Sequence, residues 1–248
     1  MLYIIQVGRN DASNRYIRNK VKAVEEAGLN ATVVKLHEDC TTNDILDAMF
    51  ECEMRVDCKA LMVQLPLPSH IDKDVVLRNI PESIDIDGLN PRTIKYKPLT
   101  PCAIMRWLKE QDVNLEGKRV AILGRSELVG KPLANLMIDA GATVSVYNSK
   151  SLDLDRMFAI RSANVVISAV GKPDFITHKD VQYGISEGRI FIDVGINRGK
   201  DGKLCGDISK EAAEHIRKHG SICTPVPGGV GKWTVRELVL RLKEMEVM

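Results

Sequence analysis

Apolar residues fall into short continuous runs separated by amphipathic stretches. Tyr3 to Val7 is an apolar run that stops at Gly8 and predicts a buried strand. Ser13 to Ala27 follows with helical spacing, opened by a capping serine and stopped by Gly28. Ala31 to Leu36 is β-branched and predicts a second strand. Asn43 or Asp44 opens a helix through Met54, and Ala60 to Leu65 predicts a third strand closed by Pro66 and Pro68. A short helix is expected from Asp72 to Asn79, ending near Pro81. Strands alternating with helices predict a mainly parallel sheet with helices on its faces.

Gly88 to Thr100, with Pro98 and then Pro101, reads as a break, and a helix is expected from about Cys102 to Gln111. A second series then begins. It has a strand at Arg119 to Leu123, a helix at Pro132 to Ala140 and a strand at Thr143 to Tyr147. Strand-like runs recur at Val165 to Val170 and Ile190 to Val194, and a last helix is expected from Val235 to Met245 after the loop Pro225 to Gly231. The expected fold is α/β with two domains and a cleft between them. Residues 1–112, with a C-terminal helix at 233–248 packing back, form one domain; residues 113–232 form a second, Rossmann-like domain.

Composition adds exclusions. The 248 residues can bury a substantial core, and 44% hydrophobic with 27% charged residues is globular, not disordered. A formal charge of +2 gives no footprint for duplex nucleic acid, and no apolar run reaches the length of a membrane span. The apolar start is too short for a signal peptide. Cys40, Cys52, Cys58, Cys102, Cys205 and Cys223 include no Cys-x-x-Cys pair, which reads as reduced thiols in a cytoplasmic protein.

On a wheel of roughly 100° per residue, Arg18, Asn19, Lys22, Glu25 and Glu26 share one side of the first helix. Tyr16, Ile17, Val21, Ala23, Val24 and Ala27 share the other, and Lys20 lies within that apolar arc, four positions after Tyr16. Its ammonium either snorkels past the edge, the more economical reading of the wheel alone, or is desolvated. Desolvation would lower its pKa from about 10.4 and suit it to proton transfer near neutrality.

Gln64 stands at the carboxyl end of a strand, where open α/β sheets bind ligands, or satisfies backbone groups of a proline-rich turn. Asp85 and Asp87 point the same way if their segment is extended; otherwise they serve a turn or cap. Gly124 to Pro132 reads as a strand, a glycine loop and a helix start, either a phosphate cradle or a tight turn. The second strand of this series ends in Asn148-Ser149-Lys150, without the acid that would hold the ribose hydroxyls of NAD. With Arg125 nearby, a 2′-phosphate fits better, so NADP is favoured. Ser168-Ala169-Val170-Gly171 and Asp193-Val194-Gly195-Ile196-Asn197 end strands in small residues that admit a flat ring. His215 and His219 are four apart on an expected helix, a weak metal face without a third ligand; no metal is expected.

Five pieces in order resemble the methylenetetrahydrofolate dehydrogenase/methenyltetrahydrofolate cyclohydrolase family. They are Ser13-x-x-Tyr16-x-x-x-Lys20, Val63-Gln64-Leu65-Pro66-Leu67-Pro68, Asp85-x-Asp87-Gly88, Gly124-Arg125-Ser126-x-x-Val129-Gly130-Lys131-Pro132, and Thr224-Pro225-Val226-Pro227-Gly228-Gly229-Val230-Gly231. The resemblance implies NADP-dependent oxidation of 5,10-methylene-tetrahydrofolate and hydrolysis of the methenyl product to 10-formyl-tetrahydrofolate. It implies that Lys20 is the catalytic lysine, that Gln64 bonds it, that Tyr16 stacks on folate and that Asp87 holds the pterin. Leu65, Pro66 and Gly88 would also contact substrate, and Pro227, Gly228 and Gly229 would line a shared floor. Gly124, Arg125, Ser126, Val129, Gly130, Ser149, Ala169, Val170 and Gly171 would hold NADP, with Ile196 and Thr234 on the nicotinamide side. The family pattern also implies a small-molecule folate substrate and a homodimer through the cofactor domain.

The chain departs from that pattern in places. Family members usually carry an N-terminal helical segment before the first strand, which bears on how one end of the catalytic domain is covered. Ile84 stands where the family usually has Lys, Asn148 replaces a frequent His, and Lys232-Trp233 replaces Pro-Met. Two other classes compete with this reading: an NADP-dependent dehydrogenase of the shikimate or amino-acid type, and a non-catalytic NADP- or folate-binding sensor. The first leaves Tyr16, Gln64 and Asp87 without a common purpose, and an intact Lys20 counts against the second.

Overall fold

The structure, a computed structural model, describes residues 1–9, 11–199 and 201–247. It divides into two compact units, Met1–Leu99 with Val235–Met248, and Thr100–Thr234.

In the first unit, β1 (Leu2–Val7) is followed by α1 (Asp11–Glu26), β2 (Ala31–Leu36), α2 (Thr42–Glu53), β3 (Ala60–Val63) and α3 (Lys73–Arg78). The strands form a parallel sheet in the order β2-β1-β3, with Leu2 opposite both Ala31 and Ala60. A parallel bridge from Leu61 to Asp85 extends the sheet beyond β3. β1 is buried at every position, which is why it reads as a continuous apolar run. The one polar side chain in it, Gln6, donates to Asn14 Oδ1 at 2.5 Å. β2, at the sheet edge, is only half-buried.

The chain enters the second unit in α4 (Leu99–Glu110). It continues through β4 (Arg119–Leu123), α5 (Gly130–Asp139), β5 (Thr143–Tyr147), α6 (Asp153–Ser162), β6 (Val165–Ser168), α7 (His178–Val181) and β7 (Ile190–Asp193). The small ribbon β8 (Asn197–Arg198) and β9 (Leu204–Cys205) follows, then α8 (Lys210–Lys218), β10 (Ile222–Cys223) and α9 (Val230–Val247). Five strands form a parallel sheet ordered β10-β7-β6-β4-β5. Alternate side chains face opposite ways. Val120 and Ile122 join Leu133 and Met137 of α5 on one face, while Ala121 and Leu123 join Ile160 of α6 and Ile216 of α8 on the other. The sheet is thus doubly wound, and its strand order reverses between β4 and β6.

Several expected bounds move, each for a packing or capping reason. The division of the units falls at 99/100, not at 112, because α4 sends Ile104 and Leu108 into the core of the second unit. α4 starts at Leu99 rather than Cys102, since Pro101 is tolerated in a first helical turn. α2 is capped by Thr41, and Asp44 closes the capping box three residues in. β3 ends at Val63 and β6 at Ser168. α9 begins at Val230, five residues early, because Val230 and Trp233 pack on the second unit's core and hold the glycine-flanked turn helical. α6 was not read from the pattern; Leu154 and Phe158 point outward and blur its period. Trp233, at the Lys232-Trp233 departure, stacks on Trp107 of α4 with centroids 4.4 Å apart.

From Val235 onward α9 belongs to the first unit, where Leu238 and Leu242 join Leu2, Ile4 and Val24 in the core. Between those leucines Arg241, 3% exposed, donates to Glu237 at 3.2 Å and to the Ile86 carbonyl at 2.9 Å. Arg241→Met takes away the cation beside a buried carboxylate. The expected loss of stability is about 3–5 kcal/mol, read as a lowered urea midpoint; a midpoint equal to that of the native chain would refute the pairing.

Candidate active site

In both sheets the order reverses beside the first strand, and the candidate residues cluster at the carboxyl ends of the strands there. In the first unit the reversal lies between β1 and β3. α1 leaves the end of β1 and carries Tyr16 and Lys20, while Gln64 follows β3 directly and its N–H still bonds Ile5 O at 2.9 Å. Lys20 does not snorkel: its side chain is buried, with 3% exposure. Its Nζ donates to Gln64 Oε1 at 3.1 Å and lies 3.7 Å from Met62 Sδ. The same nitrogen sits over the Tyr16 ring, 4.7 Å from its centroid. Gln64 is oriented by its own Nε2, which donates to the Leu65 carbonyl at 2.5 Å and leaves Oε1 for the amine.

Burial pushes the Lys20 amine below its ordinary value, and the Asp87 carboxylate partly opposes this. Asp87 is pushed up by burial, with Lys20 and Arg241 pulling the other way. A neutral Lys20 has two N–H groups and one lone pair. With its donors directed to Gln64 and Met62, the lone pair is left to accept a proton.

The two aspartates of the third motif do different work, contrary to a shared extended face. Asp85 is fully buried; it accepts the N–H groups of Gly88, Leu89 and Asn90 and the Thr93 hydroxyl, at 2.8–3.2 Å. The chain turns at Ile86-Asp87, and Gly88 has φ +65° with no room for a Cβ against the Tyr96 carbonyl. This turn separates the side chains: Asp85 fixes the loop and Asp87 remains half-buried near Lys20.

In the second unit the glycine loop lies at the reversal between β4 and β6. Gly124, at φ +114°, brings its backbone against Ala169, and a Cβ there would collide with the Ala169 carbonyl. Gly130 packs as closely on the Gly124 carbonyl. Ser126 Oγ accepts the N–H groups of Val129 and Gly130 at the start of α5, at 3.2 and 3.4 Å, and keeps its own O–H to donate. Arg125 and Ser149 are exposed, Ala169 and Val170 half-buried, Gly171 exposed, and Ile196 is 57% exposed. Thr234 is buried instead: its hydroxyl donates to Val230 O at 3.0 Å and lies 3.3 Å from that of Thr100. Pro227 and Gly228 are exposed and Gly229 is buried at the start of α9. His215 meets His178 edge to face, with His178 Nε2 3.3 Å from His215 Nδ1, and its ring tilts against that of His219; among the described residues no metal-ligating cluster occurs.

Two features were missed: the Arg241–Glu237 pair, and two buried carboxylates, Asp193 and Asp207, behind the 168–172 and 194–197 loops. The only signal was small residues beside Asp193 and Asp207, since a Cβ at Gly195 would strike Asp207 and one at Gly206 would strike Asp193.

A buried amine at one reversal point and a glycine loop at the other define a two-unit α/β enzyme with a nucleotide-type domain. Residues 1–87 match the catalytic domain, and residues 98–246 the NAD(P)-binding domain, of the tetrahydrofolate dehydrogenase/cyclohydrolase family. The chain belongs to that family. It is 38% identical to the bifunctional protein FolD of Lysinibacillus sphaericus, over 96% of this chain and 84% of that protein. The crystal structure of the bifunctional enzyme FolD from Campylobacter jejuni is similar with TM-score 0.90 at 38% identity, over 99% of this chain and 88% of that one. That of the Trypanosoma brucei enzyme, complexed with NADP cofactor and inhibitor, gives TM-score 0.86 at 32% identity, over 98% and 85%. Among the described residues no helix is long and apolar enough to cross a membrane.

The lowered Lys20 value has a thermodynamic consequence. Between that value and 10.5 the unfolded chain binds a proton that the folded chain does not, so this group makes stability rise with pH across the window. Thermal melts of Lys20→Met and the native chain at increasing pH should show the difference shifting in favour of the native chain. A constant difference would contradict a desolvated amine.

Proposed function

We propose that the chain oxidises 5,10-methylene-tetrahydrofolate to the 5,10-methenyl cation with NADP+ and hydrolyses that cation to 10-formyl-tetrahydrofolate. The observation that carries this reading is the buried Lys20 amine donating to Gln64 at 3.1 Å. Family membership supports both activities. Tyr16, beside the amine, stacks on the folate. Asp87 binds the pterin, whose amino group and ring N–H match two carboxylate oxygens. Leu65, Pro66, Gly88 and the Pro227-Gly228-Gly229 loop complete the substrate contacts.

The glycine loop fits a nucleotide cofactor, because Gly124 and Gly130 let the backbone fold tightly on itself at the start of α5, where helix N–H groups receive phosphates. Gly124, Arg125, Ser126, Val129 and Gly130 hold its phosphates, and Ser149 with the acid-free end of β5 takes a 2′-phosphate. Ala169, Val170, Gly171 and Ile196 admit the flat rings, with Thr234 on the nicotinamide side. NADP+, when bound, supplies the hydride acceptor. In hydrolysis, Lys20 takes a proton from the attacking water through its lone pair and returns one to the departing ring nitrogen. Burial disfavours the charged amine, and Gln64 aims it. A shikimate-type dehydrogenase accounts for the second unit but gives Lys20, Gln64 and Asp87 no joint role.

The proposed assembly is a homodimer in the cytoplasm. β5 is an edge strand, and Val146, Leu152, Leu154 and Phe158 are exposed beside or along it, which suits pairing with a second copy.

Purified protein given methylene-tetrahydrofolate and NADP+ should produce NADPH, and no NADPH with either nicotinamide cofactor would exclude the dehydrogenase. Lys20→Met, supplied directly with the methenyl compound, should hydrolyse it about 10²–10⁴-fold more slowly; a native rate removes Lys20 from its role. Light scattering should give twice the chain mass, and Phe158→Glu should shift it toward the monomer.

A further inference from the structure

Two carboxylates of the second unit are buried beside the carboxyl ends of its strands. Asp207 is fully buried and Asp193 is 3% exposed. Asp207 sits between the 168–172 loop and the loop that opens β8. One oxygen accepts the Ser168 hydroxyl at 2.9 Å and the N–H groups of Val170 and Gly171 at 2.8 and 3.2 Å. The other accepts the Lys172 N–H and the Asn197 side-chain amide, both at 2.9 Å. Five donors thus converge on one side chain, enough to offset the desolvation of a carboxylate.

Asp193, at the end of β7, locks this arrangement from behind. It accepts the Asp207 N–H at 2.9 Å, the Ile208 N–H at 2.8 Å and the Gly195 N–H at 3.0 Å. Gly195 and Gly206 fit only because they lack side chains. Asp193 thus holds the segment of chain that carries Asp207, while Asp207 holds the 168–172 loop and Asn197.

The donors that Asp207 captures belong to the loops assigned above to NADP: Val170 and Gly171 on one side, and Asn197, next to Ile196, on the other. The geometry points to Asp207, backed by Asp193, as the positioning residue that sets both loops and so fixes the affinity for NADP+ without touching it. The inference rests on the reading of the second unit as an NADP site. It gives a buried acid, rather than a loop residue, control over cofactor binding. An asparagine at 207 would turn a donating NH₂ toward N–H groups that are themselves donors, on one oxygen position or the other.

The test compares the native chain with Asp207→Asn and Asn197→Ala in NADP+ titration and in both half-reactions. Asp207→Asn should raise the dissociation constant and the KM for NADP+ about tenfold or more. Its KM for methylene-tetrahydrofolate should stay put, as should hydrolysis of the methenyl compound by the first unit's residues. Asn197→Ala, which removes one of the five bonds, should weaken NADP+ about threefold. If Asp207→Asn does not fold, Asn197→Ala decides: native affinity in that variant overturns the proposal. Equal loss of both half-reactions in a folded Asp207→Asn also overturns it, since that is the mark of general damage. A native chain that does not bind NADP+ removes this inference together with the reading beneath it; native affinity in the variants removes this inference alone.

Discussion

The desolvation of a single amine governs the first unit. Lysine is among the residues least often fully buried, and a buried ammonium without compensation is costly. Here the apolar arc of α1 carries Lys20 inward with Ile17 and Val24, so the helix cannot dock on β1 without taking the amine with it. The surroundings then determine what the amine can be. Gln64 and Met62 accept its hydrogens, and the Tyr16 ring covers it. One carboxylate, Asp87, lies near enough to oppose the drop in its proton affinity, and that carboxylate is itself raised by burial. Burial thus acts against the charged form of both groups.

That effect depends on where Asp87 is held, and its loop is fixed from two sides. Asp85 gathers four donors beneath it, and Arg241, reaching from α9, bonds the Ile86 carbonyl while facing Glu237. The Leu99 N–H bonds the Asp87 carbonyl at 3.2 Å and ties the loop to the start of α4. Acid pairs recur in this chain with the same division of labour. At 85 and 87 one carboxylate builds the loop and the other stands near Lys20. At 193 and 207 both build loops.

The sequence made the outline legible because the outline is written in period and punctuation. β2, β4 and β5 have the bounds that β-branched runs and flanking glycines indicate, and the wheel placed Lys20 on the inward face of α1. It did not say whether the long side chain would reach water, since four methylenes allow either outcome. The resemblance to a family tipped that choice, and the burial of Lys20 agrees. What stayed hidden depends on contacts distant in sequence. Nothing near position 241 marks an arginine that will bond a carbonyl 155 residues away. Near 207 only the small neighbour Gly206 hints at a carboxylate that will collect donors from 168 to 197. The early start of α9 has the same origin: Val230 and Trp233 are helical because a core and Trp107 receive them, against local glycine content.

The departures from the family pattern fall where the fold can absorb them. Lys232 lies in the first turn of α9 and is exposed, and the N–H that a proline would lack donates to Gly229 O at 2.9 Å. Trp233 replaces a flexible side chain by a flat one and gains an offset partner in Trp107, with interplanar angle 13°. Ile84 is the exception. Its carbonyl bonds the Leu61 N–H at 2.7 Å, so the backbone beside the Asp85–Asp87 turn is kept in the sheet whatever the side chain. An isoleucine there withdraws a cation from the neighbourhood of Asp87, leaving Lys20 and Arg241 as the positive charges that act on it. The balance between the amine and the carboxylate in this chain is therefore set by burial to a greater degree than by neighbouring charge.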